Sequence, residues 1–336
     1  MPHPCSAARL ALACLLALPL AAPAMAEDVV LRSSPLTLDG KDPARTTVGK
    51  LEWRGGIAIA SDSRRFGGWS GMLIEDGGKR LLAVSDVAHW LRAELRYDAK
   101  GMLVGIDGGA LDLMQDENGA PFAGGRGIDA ESLTRMADGT LLVGFERLHR
   151  VLAWPGGNEL SGGGLAGRPI RIPQPPGLEA SPDNEGLEAL ATLADGRVLA
   201  ISENLAAGDG LVRAWIGSGS GASMAWQALS YRTVPPFQPT GAAVLPNGDV
   251  IVTERTFNPI EGVRVRVVRL RRDSIAPGAI VEPQELARLI APVITENLES
   301  VDAAVLPDGR VGLWILGDDN FNPAQRTILL HFALVD

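Results

Sequence analysis

At 336 residues and a formal charge of −9, the chain is long enough to bury a large core and too acidic for a nucleic-acid surface, which needs clustered Lys and Arg. Forty glycines and 23 prolines among frequent Val, Leu and Ile fit many short strands joined by tight turns, and they argue against a helical bundle. Length alone allows one large domain or two ordinary ones, and internal repetition decides for one.

Residues 1–26 read as an export signal, leaving 27–336 as a single domain. Arg9 gives a minimal charged start, Leu10 to Leu20 an apolar run, and Ala24-Met25-Ala26 the small-x-small pattern before Glu27. The run is interrupted by Pro19 and falls short of the ~20 residues a spanning helix needs. A lipoprotein signal at Cys14 fits less well, because Ala11 stands where Leu is usual. The expected location is periplasmic or secreted, with no membrane span. Both cysteines, Cys5 and Cys14, fall in this segment. The mature chain would then hold no disulfide, thiolate ligand or Cys nucleophile.

Strands are predicted over Val29 to Leu38 and Leu51 to Ala60, ahead of a repeated hairpin unit. Its clearest copy runs from Asp129 through Glu131, turns at Asp138-Gly139 and closes on Glu146-Arg147; Asp-Gly between β-rich runs is a strong hairpin signal. The first copy opens at Ser70, turns at Asp76-Gly77-Gly78 and closes on Asp86. The third opens at Glu188, turns at Asp195-Gly196 and closes on Glu203. The fourth runs from Thr240 through Asn247-Gly248 to Glu254, and the fifth from Glu299 through Asp308-Gly309 to Asp318. The opening positions are 61, 57, 52 and 59 residues apart, and each interval holds about four strand-sized runs, the content of one propeller blade. Opening position and turn residue are seven apart in the second, third and fourth copies and nine apart in the fifth, which calls for an insertion or bulge there. The fold class is therefore all-β: a β-propeller of four-stranded antiparallel blades. Five blades are expected, with six as the alternative, and the N-terminal strand pairs beside Thr327 to Val335 to close the ring.

Two sets of polar residues occupy equivalent positions. Ser70, Glu131, Glu188, Thr240 and Glu299 open the first strand; Asp86, Glu146, Glu203, Glu254 and Asp318 close the second. Antiparallel pairing brings all ten to one face of the ring, near its channel. So many carboxylates repel one another unless protons, Arg partners or a hard cation intervene, and Ca²⁺ takes six to eight oxygens in flexible geometry. The competing reading is structural, with the acids capping N–H groups and fixing blade registry. Arg264 to Arg272 alternates Arg with Val and Leu, which suggests a solvated outer face. Gly68-Trp69-Ser70-Gly71-Met72 lacks the second glycine of a nucleophile elbow. His89, His149 and His331 are too scattered for a zinc site, and the tryptophans, Trp53, Trp69 and Trp90 among them, suit blade packing.

Asp129-Ala-Glu-Ser-Leu, Asn184-Glu-Gly-Leu-Glu-Ala-Leu, Asn297-Leu-Glu-Ser and above all Gly317-Asp-Asp-Asn-Phe-Asn-Pro-Ala-Gln-Arg-Thr-Ile-Leu-Leu-His-Phe resemble the exported bacterial phytase-like family, whose members are described as having esterase-like activity of phytase. The resemblance runs from about Leu51 to the C-terminus. It implies a propeller-like repeat whose recurrent acids carry phosphodiesterase or phosphatase chemistry. On that basis Glu131, Glu146, Glu188, Glu203 and Glu299 are the candidate catalytic acids. Asp86, Glu254, Asp318 and Asp319, with Glu131, Glu188 and Glu299, are the candidate Ca²⁺ ligands; Arg147, Arg255 and Arg326 would bind the substrate's phosphate. The expected partner is a small-molecule phosphoester, and the expected state is a monomer. Pro239-Thr-Gly-Ala-Ala-Val-Leu-Pro-Asn-Gly also looks like gluconolactonase-type propellers, which open lactones at a central divalent ion, so a metal-dependent lactonase or esterase is an alternative. The other is an exported propeller without catalysis that binds a ligand or partner at its channel mouth, since fold alone does not separate these functions.

Overall fold

The computed structural model describes residues 26–156 and 167–335. The export segment expected over 1–26 lies, apart from Ala26, outside them. Among the described residues no helix is long and apolar enough to cross a membrane.

The repeated hairpins form for a local reason visible in four copies. Asp138, Asp195, Asn247 and Asp308 each accept, through the side-chain oxygen, the N–H of the residue two positions on. The intervening Gly139, Gly196, Gly248 and Gly309 all have φ between 83° and 87°. That pairing of an Asx turn with a left-handed glycine closes a short hairpin loop.

Each hairpin supplies the inner two strands of a four-strand run. Ala130–Arg135 pairs with Leu141–Phe145, then Arg150–Trp154 and Ile170–Arg171 follow outward. The third copy orders Leu187–Thr192, Val198–Gly208, Leu211–Ser218 and Ala225–Arg232, with Ile280–Val281 added in parallel at the edge. The fourth orders Gln238–Val244, Val250–Asn258, Gly262–Leu270 and Gln284–Leu289. The first copy, Trp69–Glu75, Arg80–Ser85, His89–Tyr97 and Leu103–Leu113, meets the fifth through a single pairing of Gly55 with Leu103. In the fifth, Asn297–Val305, Val311–Asp318 and Thr327–Leu334 are completed by the N-terminal strand Leu51–Ser61, so the two ends of the chain share one sheet.

The five innermost strands pack side to side in sequence order, and Asn297–Val305 returns to Trp69–Glu75. The result is a closed, propeller-like ring. Its core is five apolar clusters, one between each neighbouring pair of copies. Alternation along a strand explains how one run feeds two clusters. Leu199 and Ile201 face the fourth copy, while Val198 and Ala200 face the second. Strands buried on both faces read as continuous apolar runs, as Leu81-Leu-Ala-Val does. The tryptophans take their expected packing role; Trp90 and Trp154 meet edge to face at 5.5 Å.

One expectation is corrected and one is met. The arginines of Gly262–Leu270 do not all sit on a solvated face, because Arg266 is buried and paired with Glu254 and Glu285. The longer fifth hairpin contains an insertion of ladder, in which Ala304 pairs with Gly312 and Val305 with Val311 beyond the length of the second copy.

Candidate functional site: an acidic channel mouth

The opening position of every copy is the extra residue of a β-bulge. Ala130 pairs with Phe145 and Ser132 with Gly144, which leaves Glu131 unopposed. The same skip falls at Ser70, Glu188, Thr240 and Glu299. A bulge re-aims a side chain out of the pleat, and in four of the five copies the re-aimed residue lines the channel mouth. Sequence reading allowed for a bulge only in the fifth copy.

Ser70, Glu131, Glu188 and Glu299 line a cavity of about 450 Å³ together with the closing acids Asp86, Glu146, Glu203 and Asp318. Asp129, which the repeat did not single out, adds an eighth carboxylate. Asn184, Asn297, Asn320, Asn322 and Gln325 supply further oxygens, and Arg147 and Arg255 are the cations.

Two proposed members are elsewhere. Thr240 is fully buried and donates to the Leu298 carbonyl at 3.0 Å. Glu254 is fully buried away from the mouth, where it accepts hydrogen bonds from Tyr231 and Arg266. Bulge register explains the displacement. Phe145, opposite Ala130, precedes the closing acid Glu146, and the residue opposite Pro239 in the fourth copy is Glu254 itself. The true counterpart of Glu146 is therefore Arg255, and a slip of one residue sends a side chain to the other face. The closing set is four acids and one arginine.

Two further candidates are also turned away. Asp319 spends both oxygens on hydrogen bonds, accepting the Gly68 N–H from the first copy and, from its own loop, the Phe321 N–H and the Thr327 hydroxyl. Arg326 pairs with Glu296 at 2.9 Å and is not among the cavity-lining residues. Arg147 faces the mouth, held by Asp129 at 2.6 Å and Asn184 at 3.1 Å. Arg255 lies 3.7 Å from Glu299.

Registry between copies falls largely to hydroxyls instead of the acids. Ser132 donates to the Leu187 carbonyl, Ser300 accepts from the Met72 N–H, and Thr240 bonds across to Leu298. Acids contribute too: Glu146 accepts the Gly186 N–H of the third copy, and Asp302 of the fifth copy accepts the Ile74 N–H of the first at 2.6 Å. Gly186 is required there by close approach. A Cβ at this position would lie 2.6 Å from His149 Nδ1 and 3.2 Å from Glu146 Oε1. Gly186→Ala is expected to lower stability by about 1–3 kcal/mol through this overpacking, read by denaturant melts.

Burial raises every carboxylate of the mouth. Asp86 and Glu203 rise to about 7 and Asp318 to about 6. Glu146 and Glu299 rise to about 8. Glu131 and Glu188 are pushed well up by burial and then by the charges of neighbouring acids, Glu146 foremost. Asp129 also rises by burial, against the pull of Arg147. These acids therefore hold protons near neutral pH, because ionising all of them would put more negative charge in the mouth than its two arginines offset.

The donor set suits a hard cation. All donors are oxygens, without His or Cys among the lining residues. Asp129, Glu131 and Glu146 each offer an oxygen within 4.8 Å of the others, as do Glu146, Glu188 and Glu203. Asp318 Oδ1, on a residue 1% exposed, and Asp86 Oδ1 are buried without a hydrogen-bond partner among the described residues. Buried polar atoms rarely stay unpaired, so these two oxygens fit a role in bonding a cation or a water beside it.

Fold and site together define a propeller-like protein with an oxygen-lined acidic mouth. The family described as Phytase-like, esterase-like activity of phytase, matches residues 64–321, and the chain belongs to it. No curated protein matches the sequence. Among solved structures, a provisionally assigned gluconolactonase is similar at 14% identity and TM-score 0.44, covering 94% of this chain and 96% of that one. An α-L-arabinofuranosidase from Podospora anserina is similar at 13% identity and TM-score 0.46, covering 90% and 97%. Virginiamycin B lyase from Staphylococcus aureus is similar at 8% identity and TM-score 0.40, covering 91% and 100%.

Proposed function

We propose that the chain is a cation-dependent hydrolase of ester bonds, acting on a small organic ester or lactone at the acidic mouth. The observation that carries this is the convergence of eight carboxylates on one cavity, with Asp86 Oδ1 and Asp318 Oδ1 buried and unpartnered among the described residues. Glu131, Glu146, Glu188 and Glu203, with Asp129, would hold the cation, and the all-oxygen set from several strands suits Ca²⁺. A bound divalent cation supplies Lewis acidity to the ester carbonyl and acidifies a neighbouring water. Asp86, held at about 7 by burial and by the charge of Asp318, is matched to take the proton of the attacking water. The water oxygen bonds to the carbonyl carbon, the carbon–alkoxy bond breaks, and that proton passes to the leaving alkoxide.

Charge favours a carboxylic ester over a phosphoester. Arg147 and Arg255 are the lining cations, and each already faces an acid. Even with a divalent cation bound, a dianionic phosphate would meet eight carboxylates offset by that cation and two arginines already paired to acids. A phosphoester is the second reading, favoured by Arg255, whose Nε is buried without a partner among the described residues. A count of five four-stranded blades belongs to the same proposal, supported by the five inner strands that close on themselves. Export through residues 1–26 and action as a single-domain monomer also belong to it and rest on sequence.

The test is turnover of p-nitrophenyl acetate, a γ-lactone, bis-p-nitrophenyl phosphate and p-nitrophenyl phosphate, with Ca²⁺, Mg²⁺, Mn²⁺ or chelator. The expected result is cation-dependent hydrolysis of the ester or lactone, with the phosphoesters slower. Faster phosphodiester turnover would move the assignment to the second reading. Absence of turnover with every substrate and cation would leave a ligand-binding propeller.

A further inference from the structure

Resting on the ester-hydrolase reading, we propose that the substrate carries an apolar chain that lies on Phe257 and Val263, with one of its oxygens bonded by Arg255. The fourth copy is where the ring's pattern breaks. It gives the mouth no acid, because Thr240 is spent on registry and Glu254 on Tyr231 and Arg266. Its second strand, Val250–Asn258, also runs on past the level where Leu141–Phe145 stops in the second copy. The ladder continues through Phe257 paired with Val263 and Asn258 paired with Gly262, so this hairpin stands above the mouth as a wall.

Alternation along that strand puts Arg255 and Phe257 on one face, and both line the acidic cavity, as does Val263 opposite. Phe257 is 62% exposed. A single exposed hydrophobic residue is ordinary, but here two cross-strand apolar neighbours border the same cavity as the carboxylates. Arg255 adds a polar handle, since its Nε is buried without a partner among the described residues. The sector is thus one donor beside an apolar strip, facing acids. A polyphosphorylated substrate would gain nothing from that strip, whereas the acyl or ring substituent of an ester would.

The experiment compares γ-butyrolactone with γ-nonalactone, which share a ring and differ by a pentyl tail. Binding is measured by calorimetry in chelator, where cation-dependent turnover is silent, and KM and kcat are measured separately with Ca²⁺. Full burial gives about fourfold per methylene, so a half-open wall should tighten the longer lactone by roughly tenfold. Phe257→Ser is expected to lower the affinity ratio of γ-nonalactone to γ-butyrolactone from roughly tenfold to about twofold or less, and Phe257→Leu to keep most of it; unchanged melting temperatures exclude misfolding. With Ca²⁺ the Phe257→Ser effect should fall on KM and spare kcat. Equal binding of the two lactones, no measurable binding of γ-nonalactone at millimolar concentration, or a tail dependence that survives Phe257→Ser would overturn the inference. Tail-dependent binding without turnover under any cation would support the apolar sector and overturn the hydrolase reading instead.

Discussion

In chelating buffer the melting temperature is expected to fall by about 10 °C between pH 5 and pH 8, and millimolar Ca²⁺ at pH 8 to restore it. The groups responsible are Asp86, Glu146, Glu203, Glu299 and Asp318, whose pKa values in the fold lie between about 6 and about 8. In the unfolded chain the same side chains titrate near 4. Between those limits the folded state holds more protons than the unfolded one, so stability decreases as pH rises through the window. Acids with lowered values, such as Asp39, Asp98 and Asp116, act with the opposite sign, and their effect lies below pH 4. Outside the mouth, Asp302, raised to about 7 by burial, adds to the fall, and His331, lowered to about 3 by burial, opposes it, so the part of the change that Ca²⁺ reverses is what reports the mouth. A cation that binds only the folded state adds stability as RT ln(1 + [L]/Kd), about 2.7 kcal/mol at a hundredfold excess over Kd. A flat melting temperature across this range, or no response to Ca²⁺, Mg²⁺ or Mn²⁺ at pH 8, would remove the cation from the account.

The hairpins and the ring closure were legible in the sequence because their causes are local. Asp-Gly and Asn-Gly pairs fix the turns, and apolar runs such as Val198-Leu-Ala-Ile201 fix strands buried on both faces. The bulges were not legible, since a skipped residue breaks alternation without any residue type of its own. That hid the reason Glu131, Glu188 and Glu299 turn inward. The misplacement of Glu254 had a signal that composition masked. Counting from the turn, Glu146 and Glu203 sit eight residues beyond Asp138 and Asp195, and eight beyond Asn247 is Arg255. An acid next to the correct position drew the eye away from an arginine in it. Asp129 went unnoticed as a mouth residue because its counterpart two before each opening position varies, being Gly68, Gly186, Gln238 and Asn297 in the other copies. Burial of Arg266 depends on Glu254 and Glu285 from the two neighbouring strands, which no local pattern reveals.

Two glutamate-to-glutamine changes should separate function from stability in opposite directions. Glu188→Gln is expected to lower kcat by ~100-fold or more, because it removes a carboxylate that the proposed mechanism needs at the reacting centre. In chelator at pH 8 the same change should raise the melting temperature by about 3 °C, since one buried acid with four acidic neighbours becomes neutral. Glu254→Gln should do the reverse. Its carboxylate lies outside the mouth and neutralises Arg266, which is 4% exposed at the side chain. Glu285 stays within 2.8 Å of Arg266, so the loss is partly covered, and about 2–3 kcal/mol is expected instead of the ~3–5 kcal/mol of a fully stranded buried charge. Ester turnover per folded molecule should stay within about threefold of wild type, because Glu254 touches neither cavity nor cation ligands. The crossing of the two effects is the discriminating result. Mouth acids that served registry alone would give Glu188→Gln the same signature as Glu254→Gln, a loss of stability with turnover retained.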